Sequence, residues 1–233
     1  MTDVIGALGW GLVAGSAFIL GGLLALRLTL ATRSVGLLTG FGAGALIAAV
    51  AYELVDEAGR LAGGAGHVAI GLVIGSLVYL LATGYWDTTD DSLSVSFRSL
   101  AVTVIPEAVI IVGSLLVHNH IEAAVIGALF LCGVPEAFVA TGRLSDLGFS
   151  PRSVILLWVG LALVCGVSAG IAYALLDGAR ESVVAIVLAI AGGAVLTELT
   201  TELVPEGRAL AGPLAGTAAV IGFALVFGLV EIA

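Results

Sequence analysis

Lysine is missing from this chain altogether: its eight basic residues are all arginine, set against seventeen acids. The formal charge of −9 offers no basic face to a polyanion and argues against a nucleic-acid partner. Charge of either sign is scarce, at 11% of residues where soluble domains carry about 25%. Cysteine is limited to Cys132 and Cys165, both inside apolar runs, so no disulfide framework is expected. There is no His-Glu-x-x-His, no Gly-x-Ser-x-Gly and no other nucleophile-base spacing, which points away from an intramembrane hydrolase and from an enzyme generally. No organic cofactor motif stands out. The first apolar run has no basic n-region before it, so it is expected to stay as a span and not to be cleaved.

What fills the chain is hydrocarbon. Hydrophobic residues make up 60% and the mean hydropathy is +1.21, which predicts an all-α integral membrane protein. At ~20 apolar residues per crossing, residues 1–233 divide into eight spans, about 4–26, 35–55, 66–86, 99–117, 121–142, 153–176, 182–204 and 212–232. The linkers are short, and the longest, around 86–94, is acidic without being a domain. A single transmembrane domain follows. The 33 glycines include the small-xxx-small pairs Gly11/Gly15, Gly71/Gly75 and Gly166/Gly170, which let helices approach closely in lipid. Odd-numbered linkers hold Arg27, Arg33, Arg98, Arg143, Arg152 and Arg208, and even-numbered ones only Arg60 and Arg180. The positive-inside rule then predicts a multi-pass protein of the cell membrane with both termini outside.

Two short stretches break the hydrocarbon: Val104-Ile105-Pro106-Glu107-Ala108 in span four and Gly133-Val134-Pro135-Glu136-Ala137 in span five. An ionised carboxylate at membrane depth costs at least ~2.5 kcal/mol, and a helical proline frees the carbonyl four residues earlier, here Val102 and Leu131. Two bent helices offering carboxylates and loose carbonyls describe a cation site. Residues four apart share a helix face, so Thr103 joins Glu107 and Cys132 joins Glu136. This set of carboxylates, hydroxyl and carbonyls leans toward hard ions such as magnesium, manganese or calcium, while a thiolate at Cys132 would pull it toward zinc. The bland alternative is that the glutamates are bundle glue bonded to neighbouring helices.

A second pattern is an internal repeat. Gly44-Ala45 through Glu53-Leu54-Val55-Asp56-Glu57 in span two matches Gly193-Ala194 through Glu202-Leu203-Val204-Pro205-Glu206 in span seven, at an offset of 149 (202 − 53). An even-numbered and an odd-numbered span run in opposite directions. The repeats therefore predict a two-fold axis in the membrane plane and a 3+2+3 inverted-repeat bundle centred on spans four and five, the architecture of alternating-access transporters. Glu198, Glu202 and Glu206 are spaced by four, and Glu53 and Glu57 repeat part of that ladder. They are candidates for an ion path, or else charged span ends reaching headgroups. Ala49 stands where Glu198's counterpart would be.

These residues carry a family likeness. The chain resembles the ZIP (Zrt/Irt-like) divalent-metal transporters, and is similar to their prokaryotic branch, in its eight spans, the glycine-rich start and Glu-Leu-x-x-Glu end of spans two and seven, and the Pro-Glu in spans four and five. In that family spans four and five carry His-Asn-x-Pro-Glu-Gly motifs that bind a pair of metal ions. The His and Asn positions are occupied here by Thr103 and Val104, and by Cys132 and Gly133. The resemblance implies divalent-cation transport with Glu107, Glu136, Thr103 and Cys132, and possible contributions from Glu198, Glu202 and Glu53, as metal ligands; the ion is zinc, manganese, magnesium or similar, carried as substrate. The partners implied are metal ions and the lipid bilayer, and a homodimer is compatible with the sequence. The alternative is a transport-inactive relative kept as a membrane scaffold or sensor. His118, His120 and Glu122 in linker four could collect metal or simply form a wetted turn. Trp10, Tyr79, Tyr85, Trp86 and Trp158 are read as aromatic-belt anchors.

Overall fold

The computed structural model describes residues 4–63, 65–84, 93–118, 120–121 and 123–232; within them the backbone is helical and contains no strand. The helices are α1 (Val4–Ala25), α2 (Thr32–Ala49), α3 (Glu57–Ala62), α4 (Ala65–Gly84), α5 (Leu93–His118), α6 (Ala123–Asp146), α7 (Pro151–Leu176), α8 (Glu181–Glu198), α9 (Val204–Ala211) and α10 (Leu214–Ile232). In hydrocarbon every backbone group must be satisfied within its own segment, and a helix does this. Among the described residues, seven stretches are long and apolar enough to cross a bilayer. The 19 residues of α10 rise about 28 Å at 1.5 Å each, close to the thickness of the hydrocarbon layer. The architecture is a helical bundle of multi-pass membrane type.

Spans two and seven are longer than the sequence suggested. Short π-helical stretches, Val50–Asp56 and Leu199–Leu203, join α2 to α3 and α8 to α9, so Thr32–Ala62 and Glu181–Ala211 are unbroken rods of 31 residues each. The expected ends, at about 55 and 204, follow from ~20 apolar residues per crossing. Pro205, however, follows the π-helical stretch directly, and the backbone stays helical through it to Ala211. Asp56 is met at 2.7 Å by Arg60, one turn on. The first rod ends at Gly63, whose positive φ of 62° is open to glycine without strain. Arg60, Arg143 and Arg208 accordingly sit on helix ends and not in linkers.

The packing is glycine against backbone. Gly11 and Gly15 of α1 face Gly166 and Ala162 of α7, so these two helices run antiparallel. Gly40 and Gly44 of α2 face Ala215 and Ala219 of α10 in parallel; Gly71 and Gly75 of α4 face Ala189 and Ile190 of α8, also in parallel. The two long rods run antiparallel, with Gly36 near Ala211, Gly40 near Gly207 and Leu54 near Gly192. A methyl group at Gly44 or Gly75 would collide with a carbonyl of the facing helix, so only glycine permits the approach. Outside, Ile70, Leu77, Leu81, Leu175 and Val220 are exposed, an apolar surface that suits lipid and not water.

Helices α5 and α6 occupy the interior, with Val104, Ala108, Ile110, Ile111, Val112, Val125 and Ala128 buried. Pro106 and Pro135 lie inside them without ending either helix. The Leu131 carbonyl, which cannot receive a bond from Pro135, abuts Gly42 of α2 so closely that any side chain there would strike it. Two aromatic residues are core rather than belt. Trp158 is fully buried, stacks on Phe18 with centroids 6.0 Å apart, and donates its indole N–H to Thr141 Oγ1 at 2.8 Å. Tyr79 is 2% exposed. Trp10 is exposed, as an interfacial anchor would be. Tyr85, Trp86, most of the acidic linker and Glu122 lie outside the described residues.

Candidate metal centre

The two Pro-Glu stretches come together. Ligand atoms of Glu107 on α5 and of Cys132 and Glu136 on α6 all lie within 4.8 Å of one another. Two atoms bound on opposite sides of one divalent ion at 2.0–2.6 Å stand about 4–5 Å apart, so the three residues can share a single cation. Glu107 and Cys132 are buried and Glu136 is half-buried. The helical period explains the pairing of Cys132 with Glu136, one turn apart on α6. Thr103, one turn before Glu107, is buried and donates its hydroxyl to the Leu100 carbonyl at 2.8 Å. Its lone pairs stay available as acceptors.

Glu198 joins this neighbourhood from α8. It is 1% exposed, and Glu136, Glu107 and Glu202 all act on it electrostatically, with the Thr103 hydroxyl beside it. Its Oε2 has no hydrogen-bond partner among the described residues. One turn further, Glu202 is exposed and accepts a 2.6 Å hydrogen bond from the Tyr79 hydroxyl. Glu206 pairs with Arg143 across α9 and α6. Arg60 pairs with Asp56 and Glu57, and Arg143 with Glu206; none of these pairs reaches Glu107, Glu136 or Glu198. Carboxylates gathered in an apolar bundle, with no basic side chain paired to them among the described residues, require protons or a metal cation for neutrality.

The other candidates fall elsewhere. Glu53 is buried, but it lines a separate polar pocket of about 680 Å³ with Asp56, Glu57, Arg60 and His118. His120 Nδ1 lies 2.7 Å from the His118 carbonyl with the two rings 6.1 Å apart, a local turn at the start of the connection to α6. Cys165 is free and buried on α7. The residue that sequence reasoning missed is Tyr79. Its only signal was a hydroxyl in a glycine-rich span, and proximity to a span end made it look like an interfacial anchor. Comparison of the chain with protein-family models finds no family that matches, and a search of curated proteins finds no match.

Proposed function

We propose that this chain is a cell-membrane transporter that moves a divalent cation through a centre formed by Glu107, Cys132 and Glu136. The observation that carries this reading is the convergence of those ligand atoms within 4.8 Å in the interior of an apolar bundle. Nothing about bundle packing alone requires two carboxylates and a thiol to meet. Thr103, Glu198 and Glu202 extend the ligand set outward from it. The resemblance to ZIP transporters, with the 3+2+3 inverted repeat it implies, gives the reading its mechanism: one half of the bundle rocks against the other around a fixed site.

Helix packing supports that arrangement. Gly75 of α4 meets Ile190 and Ala194, while Gly222 of α10 meets Phe41 and Ala45, and each contacted pair differs by the repeat offset of 149 (190 − 41, 194 − 45). The pairing of α4 with α8 thus has the same register as that of α10 with α2, and the long rods run antiparallel. Of the repeat mates Glu53 and Glu202, the first is buried and the second exposed, which fits a bundle open toward the Glu202 end. On the arginine distribution that end is cytoplasmic and both termini are outside.

The deciding experiment is uptake of zinc, manganese, magnesium and calcium into vesicles containing the purified chain. Uptake of at least one ion is expected, and its loss in Glu107→Gln and in Glu136→Gln. If no ion moves, or if both variants carry ions as well as the parent, the triad is packing glue and the scaffold alternative gains.

A further inference from the structure

We infer that Glu198, Glu202 and Tyr79 form a second divalent-cation station beside the Glu107–Cys132–Glu136 centre, where an ion pauses between that centre and the surface. The inference rests on the cation-transport reading of the triad. Glu198 is the first observation. It is 1% exposed, one of its carboxylate oxygens meets no donor among the described residues, and three further carboxylates act on it electrostatically. Buried polar atoms are normally partnered, and an unpartnered carboxylate oxygen amid other carboxylates is the setting that a cation completes.

The second observation is the hydroxyl that meets Glu202. Tyr79 reaches across from α4, itself 2% exposed, and donates to Glu202 Oε1 at 2.6 Å. The bond fixes the carboxylate in place and leaves its other oxygen to ligate, while the phenol oxygen keeps acceptor capacity. Because Glu198 is buried and Glu202 exposed, the pair leads from the interior outward.

The third is an asymmetry between the halves. Ala49 occupies the position equivalent to Glu198 (198 − 149). Gly75 and Gly222 occupy matching contacts, which sets the α4-to-α10 offset at 147 (222 − 75), so Tyr79 corresponds to Val226 (79 + 147), a fully buried apolar residue. On one side of the centre Glu53 has apolar residues, Ala49 and Val226, at the two equivalent positions; on the other stand two carboxylates and a phenol. The station's donors are all oxygen: two carboxylates, a phenol and the neighbouring Thr103 hydroxyl. That set suits a hard divalent cation such as Mn²⁺, Mg²⁺ or Ca²⁺.

The test is Mn²⁺ binding to the purified chain in lipid nanodiscs, followed by electron paramagnetic resonance and equilibrium titration, with Cd²⁺ calorimetry as a second probe. At saturation the parent is expected to hold two Mn²⁺ with mutually broadened spectra. Glu198→Gln is expected to hold one, with the broadening gone. Because Glu198 is buried, the exposed Glu202→Gln provides an independent variant. It keeps an acceptor for Tyr79, removes the charge, and is expected to lose the second ion in the same way. A parent that binds one Mn²⁺, matched by an unchanged Glu202→Gln, overturns the second station and leaves the triad standing. A parent that binds neither Mn²⁺ nor Cd²⁺ overturns both.

Discussion

At the scale of single residues, the centre is an electrostatic problem that only a proton or a metal solves. Replacing Glu107 or Glu136 with Gln keeps the shape and removes the charge, so each variant is expected to remain folded by size-exclusion chromatography and to lose metal-dependent thermal stabilisation. Ligands must be deprotonated to bind, so apparent affinity for any divalent ion is expected to weaken as pH falls, measured by titration calorimetry across acid to neutral pH. Cys132→Ser is a test of ion class: a large loss of affinity for zinc and a small one for magnesium or manganese is expected. An equal effect on all ions would take the thiol out of the first coordination sphere. Glu107, Glu136 and Cys132 were legible in the sequence because a charge in an apolar run is costly and the i, i+4 period says which side chain stands beside it. Tyr79 was not, since a tyrosine needs no special account at a membrane interface and its partner Glu202 lies 123 positions away.

At the scale of elements, the bundle is held by backbones that touch. Gly75→Leu would place a side chain into the Ile190 carbonyl and Gly44→Leu one into the Ala219 carbonyl. Both are expected to reduce the yield of folded protein sharply, read by fluorescence-detected size exclusion. A methyl group added at Gly127 of α6 would meet nothing within 4 Å, so Gly127→Ala is expected to be tolerated or to raise the melting temperature, because alanine is favoured in a helix by up to about 1 kcal/mol. The close approach of the helices was legible in the glycine spacings. The π-helical stretches at Glu53 and Glu202 were not. A π-helical stretch of five or seven residues is too short to leave a periodic trace in the sequence, and such turns are frequent at functional sites. The burial of Trp158 was hidden for a related reason. A buried indole needs a partner for its N–H, and Thr141, which supplies it, comes from another helix.

At the scale of the whole molecule, the helical character of the chain follows from length and hydropathy, and the antiparallel course of the two long rods follows from a repeat that pairs an even span with an odd one. Which end faces the cytoplasm rests on arginine alone. Asp146, before α7, and Asp177, after it, are both exposed positions at which a cysteine can be introduced. With the orientation proposed, Asp177→Cys is expected to react with an impermeant maleimide on intact cells and Asp146→Cys only after the membrane is opened. The reverse pattern would invert the molecule. The contact between the Leu131 carbonyl and Gly42 joins one of the long rods to a central helix at a place where proline has withdrawn the usual donor. A peptide carbonyl without its helical N–H partner vibrates at a higher amide I frequency than its neighbours. An isotope label at Leu131 would isolate that oscillator, so a rod that slides along α6 when an ion arrives would be seen as a shift of a single infrared band.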